Sequence, residues 1–268
     1  MAESSRHDVW QVGDRYEVYM GRWSCQIAPR FLDWLDAGEG LDWLDVGCGT
    51  GALSAAVLTQ CNPKRLISMD QSQGFVTRAR ATIQDRRVNF HVGDAQAISL
   101  ETASCDVVVS ALTLNFVPDK LKALREMNRV ARAGGSVAFY VWDYPGGGVE
   151  FMHAFWMAAA VLDGVAFELA EDRRFPFCTP DGLRELMRGV GFVLVNCEPI
   201  EISTVFVDFE DYWRPFTLGA GPAPGYCVSL DPEARQRLRD RLNDTLPRRE
   251  DGSIPLKARA WAIEAAVV

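Results

Sequence analysis

The 268-residue chain carries 28 Lys and Arg against 36 Asp and Glu, a net charge of −8, and 48% of its residues are hydrophobic. That composition supplies a sizeable core for one large domain, or for one domain with a substantial insertion. It excludes a nucleic-acid surface, which wants a clustered basic excess, and no apolar run approaches the length of a membrane span.

The opening Met1-Ala2-Glu3-Ser4-Ser5-Arg6 lacks an apolar signal core, so a cytoplasmic protein is expected. The seven cysteines are odd in number, scattered and without a C-x-x-C pair, which reads as a reducing compartment and no disulfide framework. The three histidines (His7, His91, His153) lie far apart, and no metal site is expected.

In chain order, residues 8–23 alternate aromatics with single charges and show no sustained period. They are expected to form an N-terminal arm that either packs its aromatics on the domain or covers a ligand. Ser24 is expected to cap a helix reaching about Asp36, with Ile27, Phe31, Trp34 and Leu35 on one face and Gly38 and Gly40 ending it. A strand at 41–46 enters the Gly-rich stretch 47–51, and a helix leaves it to about residue 60. A strand at 65–69 ends in Asp70-Gln71-Ser72 before a helix to about residue 84; a third strand, 88–92, ends in Gly93-Asp94-Ala95. The continuous Val run at 106–110 marks a strand covered on both faces, and it opens into 111–118. A helix with Leu121, Leu124, Met127 and Val130 on one face follows, and Gly134-Gly135 turns into a strand at 136–142.

This alternation predicts a parallel, doubly wound sheet, whose ligand crevice lies beyond the carboxyl ends of its strands. The clusters at 47–51, Asp70, Asp94 and 110–115 all fall at such ends. After residue 143, Pro145-Gly146-Gly147-Gly148 precedes an apolar helical stretch at 151–169. The segment 144–178 is expected to be a helical insertion over the crevice mouth, or else a helical pair packed only for stability. Thr179-Pro180 starts a further helix closed by Gly191, and 192–197 is a sixth strand. Residues 208–230, with Trp213, Pro215, Pro222 and Pro224, are expected to be irregular. Asp231-Pro232 begins a polar helix to about Leu246, and 254–267 is expected to be a last strand, although 256–266 also reads as helix.

A buried strand, a turn of small residues and a helix N-terminus make a site for a nucleotide-like ligand. Two ligands fit it. Gly47, Gly49 and Ala52 loosely satisfy the dinucleotide pattern G-x-G-x-x-G/A, with Asp70 placed to hold ribose hydroxyls. Alternatively, Asp45, Gly47, Gly49 and Gly51 resemble the acidic G-x-G-x-G turn of class I S-adenosylmethionine-dependent methyltransferases. The resemblance extends to Asp70 after strand two, Asp94-Ala95 after strand three, 106–119 at strand four and the Gly134-Gly135 turn. It covers roughly 41–142 and is similar to the small-molecule subgroup that includes ubiquinone- and menaquinone-biosynthesis enzymes.

The resemblance implies a seven-stranded, mostly parallel α/β sheet in a single domain over 1–268. Its parts are an arm and helix at 1–40, a cofactor-binding core at 41–143, a helical lid at 144–178 and the rest of the sheet at 179–268. It implies S-adenosylmethionine as cofactor, contacted by Asp45, Gly47, Cys48, Gly49, Gly51, Asp70, Gln71, Asp94, Ala95, Ser110, Ala111 and Leu112. Tyr16 and Arg22 of the aromatic arm are added, the arginine for the methionine carboxylate. Asp45 either acts on a sulfonium through its field or braces the turn through backbone N–H bonds. The acceptor is expected to be a small hydrophobic or aromatic molecule, walled by Trp142, Tyr144, Phe151, Phe155 and Trp156. No residue sits in a recognisable catalytic motif; His153, Tyr16 and Tyr144 are the candidates for a base. The rival readings are a cofactor-binding sensor or partner subunit without catalysis, and a dinucleotide oxidoreductase.

Overall fold

The computed structural model describes residues 17–219 and 221–268. Its strands are β1 (Asp42–Val46), β2 (Arg65–Asp70), β3 (Val88–Val92), β4 (Cys105–Ala111), β5 (Ala131–Trp142), β6 (Val195–Phe206) and β7 (Ile254–Ala266). They form one sheet in the order β3-β2-β1-β4-β5-β7-β6. The pairings of β1 with β2 and β4, of β2 with β3 and of β4 with β5 are parallel. The expected doubly wound, mostly parallel sheet of seven strands is therefore what the chain forms. Strand order reverses at β1, whose five residues are all buried, so the turn after it lies at a topological switch point.

Helices α1 (Arg22–Leu35), α2 (Ala52–Gln60), α3 (Gln73–Thr82) and α4 (Lys120–Val130) accompany the first five strands. Local chemistry sets their ends: the Ser72 hydroxyl accepts from Phe75 N–H, and Asp119 accepts from Lys122 N–H. Beyond β5 come α5 (Glu150–Leu162), α6 (Gly164–Leu169), α7 (Glu171–Arg174), α8 (Pro180–Arg188), α9 (Phe209–Trp213), α10 (Pro222–Ser229) and α11 (Pro232–Thr245). Thr179 and Asp231 cap α8 and α11, each with proline in the first turn, as the sequence predicts. Among the described residues no helix is long and apolar enough to cross a membrane.

Two compact units divide the chain. The first comprises 24–141, 177–200 and 260–268; Val107, Val108, Val109 and Val137 lie in its core, and Phe31 packs on Tyr140 at 4.8 Å between ring centroids. Of the described residues, the second comprises 17–23, 142–176 and 201–259 apart from 220, and it is rich in ring contacts. There Phe155 stacks on Phe216 at 4.4 Å, and Tyr212 Oη donates to the Phe151 carbonyl at 2.9 Å. Asp143, almost fully buried, accepts from Gly146 N–H and from Arg259 Nε, fixing the glycine run after β5.

Several expectations shift. Ser24 is not a cap: the chain enters α1 from a π-helical turn, Glu17–Gly21, so Ser24 lies inside the helix. That turn also replaces the aperiodic arm over 17–21, and it buries Tyr19 four residues before the buried Trp23. The part of the arm before residue 17 lies outside the described residues. Gly134-Gly135 is a bulge within β5 rather than a turn before it, because the register jumps between the Cys105–Ala131 and Val107–Ser136 pairs. A Cβ at Gly135 would stand 2.3 Å from the Asp106 carbonyl oxygen, so only glycine admits this approach of β5 to β4. β6 begins later and runs to Phe206, with Ile200, Ile202, Thr204 and Phe206 buried on one face through the alternation of 200–206. Residues 209–218 and 222–229 form short helices where the sequence predicts irregular chain: Pro215 and Pro222 occupy first-turn positions, where no N–H is needed.

Candidate functional site

The Gly-rich turn is built by β1 and β2 together. Val46 lies opposite Met69, whose carbonyl accepts the N–H groups of Gly47 and Cys48 at 2.7 and 2.9 Å. One residue on, Asp70 Oδ2 accepts from Gly49 N–H at 3.0 Å and Oδ1 from Ser72 N–H at 2.8 Å. A single carboxylate thereby fixes the turn and the start of α3. Burial pushes the Asp70 carboxyl up, and the Ser72 and Gly49 N–H bonds pull it back only in part.

Gly47 has φ 76°, and a Cβ there would lie 2.2 Å from Thr113 Cγ2, so the turn demands glycine on two counts. Thr113 Oγ1 donates to the Gly47 carbonyl at 2.8 Å and to the Ala111 carbonyl at 2.9 Å, locking the loop after β4 against the turn. At Gly49, by contrast, no atom of the described residues lies within 4 Å of where a Cβ would stand. Among the described residues no side chain caps α2, whose N-cap is Gly51.

Asp45 has no exposed surface and faces Ser68 in the register of β1 with β2. The Ser54 hydroxyl donates to Asp45 Oδ2 at 2.6 Å and meets the Ser68 hydroxyl at 2.8 Å. The brace on the turn comes from Ser54 of α2, through its hydroxyl first and its backbone N–H second, so the backbone bond that the sequence suggested is joined by a side chain that it did not. Burial pushes the Asp45 carboxyl up to about 7; the Ser54 bond opposes this, and the nearby Asp70 charge adds to it. Cys48 points into the core against Val76, Ala79 and Phe90, leaving its backbone on the turn.

The remaining expected residues fall at the neighbouring strand ends. Asp94 is exposed after β3 and accepts from Gln96 N–H at 2.8 Å, a bond that holds its carboxyl below the usual range. Ala95 is half-buried beside it, and Gln71 is exposed after Asp70. Ser110 is buried at the end of β4, while Ala111 and Leu112 are half-buried. Leu112 has φ 54°, a left-handed conformation unusual for a leucine, and its N–H bonds the Tyr140 carbonyl at 2.9 Å. Sequence reasoning passed over Thr113, Ser54 and Asn115 as individual residues. Asn115, the one amide in an apolar run, carries the signal that could have found it.

Arg22 belongs to the aromatic unit. Its Nη1 pairs with Asp211 Oδ1 at 2.7 Å, and its guanidinium lies 4.3 Å from the Trp23 ring and 4.6 Å from the Phe206 ring. Tyr16 lies outside the described residues. His153 is exposed on α5, and the buried Tyr144 packs on Phe175 at 5.6 Å. The rings expected to wall an acceptor are withdrawn from the surface: Trp142, Phe151, Phe155 and Trp156 are all buried, and Phe155 packs edge-on against Trp156. A cavity of about 40 Å³ opens beside them, lined by Tyr144, His153, Trp156, Phe167 and Glu171 among others. That is well short of the roughly 150 Å³ that takes up a benzene ring.

Residues 44–139 match the family model described as "Methyltransferase domain". A demethylmenaquinone methyltransferase of Lactococcus lactis is 32% identical over 110 residues, which is 40% of this chain and 44% of that protein. The chain spans less than two thirds of the length of the curated relatives it matches. Among solved structures, a Haloferax volcanii methyltransferase in complex with its Trm112 activator has a TM-score of 0.59 at 20% identity, over 98% of each chain. A Haemonchus contortus phosphoethanolamine N-methyltransferase, solved with phosphomonomethylethanolamine and S-adenosylhomocysteine, has a TM-score of 0.57 at 17% identity over 95% of this chain and 56% of that one. The stretch 44–139, with its Gly-rich turn and acidic strand ends, is thus similar to a methyltransferase domain, and the chain shares its fold with solved methyltransferases.

Proposed function

We propose that the chain is an S-adenosylmethionine-dependent methyltransferase acting on a small, hydrophobic or aromatic acceptor. The observation that carries this is Asp70: a carboxylate at the end of β2, anchored by Gly49 and Ser72 N–H beneath a turn whose face at Gly49 is open among the described residues. Such a group accepts from both hydroxyls of a ribose. Asp94 and Ala95 would take the adenine, the backbone of 47–51 the nucleoside's close approach, and 110–112 the far end of the cofactor. The residues fit this cofactor better than a dinucleotide, because the Asp70 carboxylate is bonded to the turn at the helix start where a pyrophosphate would have to sit.

S-adenosylmethionine, when bound, supplies a methyl group on a sulfonium cation. The chain's own contribution is then to hold the two reactants in line, since proximity and orientation carry much of such a displacement. Negative charge at the turn favours a cationic ligand through its field. The expected acceptor class is supported by the apolar surface of α5 and α6, where Met157, Val161, Val165 and Phe167 are exposed, and by the likeness to a protein named for demethylmenaquinone.

Titration calorimetry with S-adenosylhomocysteine and NADH tests the cofactor: heat of binding is expected from the first alone. Binding of NADH with none of S-adenosylhomocysteine would overturn the reading. Transfer of a labelled methyl group to members of an aromatic and quinol panel tests the acceptor, and firm cofactor binding without any transfer would favour a non-catalytic partner subunit.

A further inference from the structure

Asn115 lies in the short turn Leu114–Phe116 that follows β4, and only 2% of its surface is exposed. Neither its amide nitrogen nor its amide oxygen has a hydrogen-bond partner among the described residues. A primary amide offers two donors and two acceptor lone pairs, and a fold rarely buries all of them unmatched. Leu114 before it and Val117 two residues after it are buried hydrophobics.

The loop that carries the amide is tied to the Gly-rich turn two residues earlier, at Thr113. Thr113 donates to the Gly47 carbonyl and abuts Gly47 itself. Leu112, next before it, holds the left-handed backbone that turns the chain out of β4. At the other end of the loop, Asp119 N–H bonds Gln96 Oε1, so both ends are pinned to neighbouring strand-end loops.

The sheet order β3-β2-β1-β4 then sets the direction of the ligand. With the adenosine on Asp94 after β3 and Asp70 after β2, the turn after β1 comes next, and the loop after β4 meets what lies beyond the sulfur. That end of S-adenosylmethionine is an α-amino acid, with an ammonium that donates and a carboxylate that accepts. A carboxamide matches it group for group, its carbonyl oxygen toward the ammonium and its NH₂ toward the carboxylate. Being neutral, it adds no charge of its own to a buried position.

We propose that Asn115 is a cofactor-contacting side chain that holds the amino-acid end of S-adenosylmethionine. The proposal rests on the cofactor reading above and assigns a residue to it.

The test uses the full chain with Asn115→Ala and Asn115→Leu. Each is titrated with S-adenosylhomocysteine and with 5′-methylthioadenosine, which keeps the adenosine and sulfur but lacks the amino acid. Affinity for S-adenosylhomocysteine should fall by about tenfold or more, the scale of a lost hydrogen bond to a charged group, while that for methylthioadenosine should change by less than about twofold. The unliganded Asn115→Leu protein should melt no lower than the wild type, because it loses a buried amide without partners. Equal losses for both ligands, or no loss for S-adenosylhomocysteine, would overturn the assignment. So would a lower melting temperature in both variants, which would make Asn115 a packing residue. A wild-type protein that binds neither ligand would overturn the cofactor reading, and this assignment with it.

Discussion

Asp70 spends one lone pair of each carboxylate oxygen on a backbone N–H, and a carboxylate has about four acceptor sites. The spare sites are what a ribose would use. Asp70→Ala removes them together with the anchor of Gly49, and affinity for S-adenosylhomocysteine should weaken by roughly 1–3 kcal/mol. Calorimetry on a folded variant decides this, and an unchanged dissociation constant would remove Asp70 from the site. Asp45 calls for a different measurement, because it is buried beneath the turn. Its carboxyl titrates near 7 in the fold, far above its ordinary value of 3.8, so the folded state holds a proton that the unfolded chain has released. Stability from this group is fully present below about pH 4 and is lost as pH rises through about 7. The loss amounts to as much as ~4 kcal/mol from a shift of about three units. Asp45→Asn keeps an acceptor for Ser54 and cannot titrate. Urea unfolding from pH 4 to 8 should show wild-type stability falling relative to the variant. Parallel profiles would mean that Asp45 ionises freely in the fold.

At the scale of elements, what the sequence announces is local. The caps at Thr179 and Asp231, the Val run of β4 and the acids closing β2 and β3 are each set by neighbours within a few residues, and they stand where the sequence puts them. What it hides is long-range. Thr113 reaches Gly47 across 66 positions and Arg22 reaches Asp211 across 189, and no periodicity encodes such pairs. The Gly134-Gly135 pair reads as a turn for the same reason: glycine signals a turn as readily as a bulge, and only the approach to Asp106 decides between them. That approach makes a sharp prediction. Gly135→Ala must push β5 away from β4 or distort its bulge, and overpacking of this kind costs about 1–3 kcal/mol. Urea denaturation should show the midpoint fall with its slope unchanged. A midpoint equal to that of the wild type would mean that the bulge has room to spare.

For the whole molecule, the division into two units separates what the sequence shows from what it leaves open. The expected cofactor residues from Asp45 to Leu112 fall in the unit that holds the family match, whereas Arg22, Tyr144 and His153 fall in the aromatic one. Motifs report the first because a turn, a strand end and an acid are enough to specify a nucleoside site. They are silent on the second because ring-on-ring packing leaves no spacing to read: the same aromatic run could line a pocket or fill a core, and here it fills one. Ligand-linked stability can be resolved along the chain on this basis. At a hundredfold excess over its dissociation constant, a ligand of the folded state adds about 2.7 kcal/mol to the free energy of unfolding. Amides that open locally at the site should gain protection first, since the ligand blocks those openings directly. Hydrogen exchange with saturating S-adenosylhomocysteine should therefore slow at 47–51, 70–72 and 112–116 well before α11 responds. Slowing of equal size in α11 and in the turn would mean that the ligand is felt only through global stability, and the strand-end assignment would lose its support.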